Sequence, residues 1–406
     1  MTDGPPENPP PGWAPQQPPA YGQPGPGSWA APGQQPPPPP GYGGYPAMPH
    51  NPYGPYGAPP ALKPGIIPLR PLTMGDMFNG AIASVRANPK ATLGLAAIVV
   101  TVSQLAAFGI QLATAGSMFD VLNMDEAALA DNPEQILGPI ATFLGGTILG
   151  AIVSVIAMVV LTGMLTSVVG RSVFGESIGI GEAWRQTAGR VLPLLGLGLV
   201  QTVMVFGIFL VPLLFVGVLV APLVDVGVAV LLVFLFLVLG VIAAVFLYTK
   251  MALAGAAVVL ERIGVAAAIG RSFRLVRGDF WRVFGILLLT SIIVGLVSAA
   301  VGAPFQIAGM FTGGDAQSLV EVSDGLYTSM ALSTIGAIIG GVIASPFSAA
   351  VNALLYADRR MRAEAFDLVL QTEALERQRG GMPTGPQDLW HPSYGSGQRP
   401  PGYWPQ

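Results

Sequence analysis

The sequence predicts an all-α integral membrane protein of about six transmembrane helices, paired as three hairpins, on three observations. The chain is 52% hydrophobic and only 10% charged, where a soluble domain carries roughly 25% charged residues. Its apolar residues gather into stretches long enough to span, about 20 residues for a hydrocarbon core of about 30 Å. The segments joining those stretches alternate strictly in charge.

Residues 1–61 form a head of another kind. Of the 39 prolines, 23 fall within residues 1–64, among tyrosines at 21, 42, 45, 53 and 56. Such a composition buries too little apolar surface to offset its ordering entropy, so the head is expected to be disordered. Proline-rich tracts favour polyproline II, which aromatic-lined grooves on cytoplasmic proteins bind. Residues 376–406 share the flavour, P-P-G-Y-W at 400–404 echoing P-P-P-G-W at 9–13, and are expected to form a disordered tail. No apolar signal segment opens the chain.

Between the tails, a membrane domain is expected over 62–375, with spans at 91–115, 140–169, 191–221, 226–249, 283–303 and 330–356. Only Pro222-Leu-Val-Asp225 interrupts 191–260, and a tight turn there makes two spans of it. The fourth span is expected to continue helically to Leu260.

Charge sets the orientation. Residues 116–139 hold Asp120, Asp125, Glu126, Asp131 and Glu134, and 304–329 hold Asp315, Glu321 and Asp324, with no Lys or Arg in either. All 19 Lys and Arg lie on the other side of the spans. Basic residues near spans stay cytoplasmic, which puts both termini in the cytoplasm of a plasma-membrane protein and requires an even number of spans.

Each basic segment before an odd-numbered span reads as a short amphipathic helix, giving three similar units. Thr73 and Asp76 form a capping box in the first. Asn88 then Pro89 is an N-cap followed by proline at the first helical position, and Gly278 then Asp279 is a helix stop followed by a new N-cap. In the third unit Arg271, Arg274 and Arg277 fall on one arc and Ile269, Phe273, Val276 and Phe280 on the opposite one. A basic helix with aromatics lies in the membrane interface. Arg271, Arg274, Arg277 and Arg282 are therefore the candidate contacts to anionic lipid headgroups.

The residue inventory argues against catalysis. The two histidines, His50 and His391, lie in opposite tails, and there is no cysteine for a thiol nucleophile, disulfide or thiolate metal site. No cofactor, metal site or nucleic-acid partner is called for. Glycines recur in the helix-packing pattern, as Gly145-Gly146-x-x-x-Gly150 and Gly336-x-x-x-Gly340-Gly341. A transport pathway needs polar groups at membrane depth. The candidates are Gln104, Gln111, Gln201 and Asn352, with Pro212 and Pro346 as helix-breaking points.

Three stretches carry a family resemblance: I-I-P-L-R-P-L-T-M-G-D-M-F-N-G at 66–80 with N-P-K at 88–90, L-E-R-I-G-V-A-A-A-I-G-R-S-F-R-L-V-R-G-D-F-W-R-V at 260–283, and P-F-S-A-A-V-N-A-L-L-Y-A-D-R-R-M-R at 346–362. Over roughly 62–375 the chain resembles the membrane-domain family attached to some bacterial glycerophosphoryl diester phosphodiesterases, which also occurs alone in many actinobacterial proteins. The resemblance implies a multi-helix membrane module with interfacial helices. It carries over no phosphodiesterase activity, which resides in a separate barrel domain with catalytic histidines and carboxylates. The expected function is thus a non-enzymatic membrane module that contacts anionic lipid and recruits cytoplasmic proteins through its head. The competing expectation is a transporter or lipid-handling protein with a pathway between the hairpins.

Overall fold

The computed structural model describes residues 63–122, 133–311, 319–379 and 389–391. Contacts divide the chain after Gly57, and every described residue belongs to the second unit, Ala58–Gln406. The expected Pro-rich head, most of the expected tail and parts of both acidic loops lie outside the described residues.

Every regular element described is helical. The order is α1 (Met74–Ala87), α2 (Pro89–Leu122), α3 (Leu137–Ser172), α4 (Ile180–Ala188), α5 (Val191–Leu214), α6 (Val226–Met251), α7 (Ala254–Leu260), α8 (Val265–Val276), α9 (Phe280–Met310), α10 (Leu319–Glu364) and α11 (Phe366–Gln378). Six segments are long and apolar enough to cross a membrane: Pro89–Ser117, Leu137–Ser172, Val191–Val218, Val226–Leu260, Phe280–Met310 and Gly325–Glu364. They include all six expected spans, except that the third ends a few residues earlier than expected.

Local chemistry sets the helix ends. The capping box at Thr73 is formed: Asp76 N–H donates to Thr73 Oγ1 at 3.1 Å and Thr73 N–H donates to the Asp76 carboxylate at 3.0 Å. α2 begins at Pro89, whose missing N–H costs nothing in a first turn. The Asn88 side chain does not cap it but donates to Ser172 Oγ at 2.9 Å, tying the start of α2 to the end of α3. Pro212 lies near the end of α5, and the chain continues through a π turn, Phe215–Val220, and a 3-10 turn, Ala221–Leu223. Asp225 then caps α6 by accepting from Gly227 N–H at 2.9 Å.

One boundary expectation is refined and one corrected. The fourth apolar segment reaches Leu260 as expected, with a turn at Ala252–Leu253 that separates α6 from α7. Ser272 of α8 donates to the Lys250 carbonyl at 2.6 Å, providing for it at that break. Asp279 stands at the N-cap of α9 but makes no capping bond; its carboxylate is drawn to Arg359 instead. Gly278 before it has φ +96°, a left-handed conformation that glycine adopts without steric cost.

The long helices meet through small residues. A β-carbon at Gly146 of α3 would lie 2.3 Å from Thr114 Oγ1 of α2, and Gly150 faces Ala107. Gly336 of α10 approaches Gly302 of α9, Gly340 approaches Ser298, and Gly341 faces Val100 of α2. This is the close backbone approach that small residues permit between membrane helices. α10 is the hub, packing on α9, α2, α1 and α3. Of its most apolar window 56% is buried, against 6% for the windows of α5 and α6. The latter expose a nearly continuous apolar surface, including Phe206, Val211, Leu231 and Ile242, as a membrane-embedded protein does.

The expected disordered tail is corrected in part. α11 extends to Gln378, and Leu389 and Trp390 are buried in the core. Trp390 packs against Phe366, Tyr356 and Phe174, and its carbonyl accepts from Arg360 at 2.8 Å. Burial of the indole and satisfaction of its carbonyl fix a residue that composition alone places in a solvated tail.

Candidate functional site

The ends of the helices that carry the basic segments are joined by a layer of buried ion pairs. Glu261, directly after α7, is fully buried. It accepts from Arg271 of α8 through Nε at 3.0 Å and Nη2 at 2.8 Å, and from the Tyr356 hydroxyl of α10. Arg360 stands 3.5 Å from the same carboxylate. Glu364 closes the cluster by pairing with both Arg271 and Arg360. Burial works against the Arg271 charge, but the hydrogen bonds it donates to Glu261 and Glu364 outweigh this and hold the guanidinium pKa above its ordinary value.

A second cluster clasps the chain before α1. Asp358 of α10, also fully buried, accepts from Leu72 N–H at 2.8 Å and from Arg362 Nε at 2.9 Å. Arg282 and Arg362 donate to the Leu72 carbonyl at 2.7 and 2.9 Å. Gln371 of α11 donates to the Leu69 carbonyl at 2.7 Å. Non-helical backbone at 66–72 is thereby satisfied while its side chains Ile67, Leu69 and Leu72 fill the core.

Arg359 donates to the Leu275 carbonyl at 2.9 Å and pairs with Asp279. That hydrogen bond from Arg359 is the main reason the Asp279 carboxyl sits below its ordinary pKa. Arg171 at the end of α3 pairs with Glu176 at 2.9 Å and Glu182 at 3.2 Å, and Arg377 of α11 reaches Glu176 at 3.2 Å. Chemically the layer is a clasp. Its buried carboxylates are engaged by guanidinium, phenol or backbone N–H donors, which fixes the helix ends relative to one another.

The four expected headgroup arginines divide in two. Arg274 and Arg277 are exposed, near the exposed Trp281. Arg271 and Arg282 are engaged in the two clusters, Arg282 with 33% of its side chain still exposed. The expected single basic arc also ends early, because Arg277 leaves the helix in an extended conformation, ψ 126°. Among the pathway candidates, Gln104, Gln201 and Asn352 are half-buried and Gln111 is exposed. Glu261, Asp358, Arg359, Arg360 and Trp390 were not singled out by sequence. The available signal was their position: an acid-arginine pair directly after an apolar run, at 261–262 and again at 358–359.

Leu72 and Asp358, hydrogen-bonded to each other, are also the limits of a family match. A family model described as a domain of unknown function, DUF7847, matches residues 72–358, well over half of the chain. The chain belongs to the DUF7847 family. In this DUF7847 domain the first and last matched residues meet within the buried layer, so the matched segment is closed on itself by the Asp358 clasp. No curated protein and no solved structure matches the chain.

Proposed function

We propose that this protein is a non-enzymatic multi-pass module of the plasma membrane, with its basic end and both termini in the cytoplasm. It organises the membrane surface by contacting anionic lipid and by recruiting cytoplasmic proteins to its Pro-rich head. The observation that carries the lipid part is the division of the basic residues. Arg271 and Arg282 pair with buried carboxylates, while Arg274, Arg277 and Trp281 are exposed. Arginines and tryptophans so placed suit an anionic interface. The all-arginine-and-lysine basic side of the sequence supports the orientation.

The packing supports a threefold unit of leading helix and hairpin. The leading helix α4 lies on α3, α8 lies on α6 and α7, and α1 lies on α10. Among the long helices, α3 meets α5, α6 meets α9, and α10 meets α2. These contacts support a unit-to-unit arrangement, to which α10 adds a contact with α3 that has no counterpart in the other units. The module reading agrees with the resemblance to the phosphodiesterase-linked membrane domains.

Hydrogen exchange of the protein in neutral and anionic bilayers tests the lipid contact. Residues 264–282 are expected to gain protection in the anionic bilayer; equal protection in both would count against it. The buried Asn352 Oδ1, which has no hydrogen-bond partner, favours a second reading, a solute pathway between the helix pairs. Under that reading N352L abolishes transport, and parent-like behaviour of N352L removes it.

A further inference from the structure

Two voids adjoin at the basic end, sharing Gln186 and Arg262. The inner one is about 30 Å³ and is bounded by Gly170, Arg171, Leu260 and Trp390, space for one water-sized group. The outer one is an open recess of about 480 Å³ walled by Glu182, Arg185, Gly189 and Arg190.

The inner void is lined by residues carrying donors that lack an acceptor. Trp390 is 3% exposed, and its Nε1–H has no hydrogen-bond partner; Arg171 Nε, also buried, has none. Both groups can only donate, and buried donors left unpaired carry a desolvation cost that an acceptor would remove. Outside them the recess is walled by Arg185 and Arg190, by Arg262, which it shares with the inner void, and by one carboxylate. That carboxylate, Glu182, is already engaged by Arg171 at 3.2 Å and by Gln186 at 3.0 Å. Arg262 follows the Glu261 C-cap of α7 with φ 56°, the left-handed position at which helices commonly end.

We propose that the joined voids bind a phosphoryl oxyanion, with Trp390 Nε1 and Arg171 Nε as inner donors and Arg185 and Arg190 as the outer charge. A phospholipid headgroup and free phosphate offer the same chemistry. The headgroup source rests on the lipid-contact reading above; the site itself does not.

The test uses the full chain in nanodiscs, with the thermal unfolding midpoint as readout. Inorganic phosphate is titrated into neutral phosphatidylcholine discs against a chloride control of equal ionic strength, and phosphatidylglycerol is titrated as a fraction of the disc lipid. A saturable rise in midpoint is expected in at least one arm. A rise with phosphate in neutral discs identifies a free anion, and a rise only with phosphatidylglycerol identifies a headgroup. R185Q/R190Q is expected to weaken the response about tenfold, the scale of losing charge-assisted hydrogen bonds, and W390F, which keeps the ring but loses the N–H, to weaken it severalfold. R274Q/R277Q keeps the response to inorganic phosphate in neutral discs. If R185Q/R190Q responds like the parent, the pocket is overturned; if R274Q/R277Q alone loses the response, general lipid contact survives without it. No response of the parent in either arm means the inner void holds water only, and the proposal fails.

Discussion

The backbone N–H of Leu72 donates to the buried carboxylate of Asp358 at 2.8 Å, joining positions 286 residues apart. The same carboxylate pairs with Arg362 and Arg282, and both arginines return to the Leu72 carbonyl. Asp358 is therefore the point at which the start of the helical bundle is held to its end. Removing it leaves the buried Leu72 N–H without an acceptor and two guanidiniums with only the Leu72 carbonyl. D358A is expected to cost about 3–5 kcal/mol, the range for breaking a buried pair. D358N keeps one oxygen for Leu72 and should cost less. Thermal unfolding in nanodiscs checks the order, and equal midpoints for D358A and parent would contradict it.

Helix contacts through glycine predict a contrast between neighbours. G146V drives a side chain into Thr114 of α2, whereas no atom stands within 4 Å of a β-carbon at Gly145. Overpacking of this kind costs about 1–3 kcal/mol. G146V should lower the unfolding midpoint and G145V leave it close to the parent.

Trp390 anchors the far end of the chain against Phe366, Tyr356 and Arg360. W390A is expected to destabilise by about 3–5 kcal/mol, the range for losing a buried tryptophan. Limited proteolysis should then cut after α11 faster than in the parent; unchanged cleavage would show that the anchor is dispensable.

Acid should loosen the basic end. Arg359 lowers the Asp279 carboxyl pKa. At Asp76 partial burial pushes upward, but the hydrogen bonds from Thr73 and the charges of Arg70 and Lys63 outweigh it. Both groups ionise more readily folded than unfolded. Their stabilisation is complete above the ordinary carboxylate pKa of about 4 and is lost as pH falls through the lower folded values. D76N/D279N should be less stable than the parent at neutral pH and lose less on acidification. Parallel pH profiles would contradict the assignment.

Much of the fold was legible because its signals are local. The Thr73–Asp76 box spans three residues, the turn at Pro222–Asp225 interrupts a single apolar run, and apolar length needs no knowledge of packing. The clasp was not legible, because Glu261 and Tyr356 meet across 95 residues and neither neighbourhood names the other. A helical wheel put Arg271 with Arg274, but the wheel carries no information on which side meets Glu364. Trp390 was hidden for a related reason: composition averages over a tail in which a single aromatic docks.

The absence of cysteine allows single cysteines to be placed at will, and their accessibility tests the membrane module most directly. L223C lies at the turn between α5 and α6, and G189C lies between α4 and α5 at the basic end. The account predicts that a membrane-impermeant maleimide labels L223C in intact cells and G189C only after permeabilisation. Labelling of G189C in intact cells, with L223C protected, would contradict it.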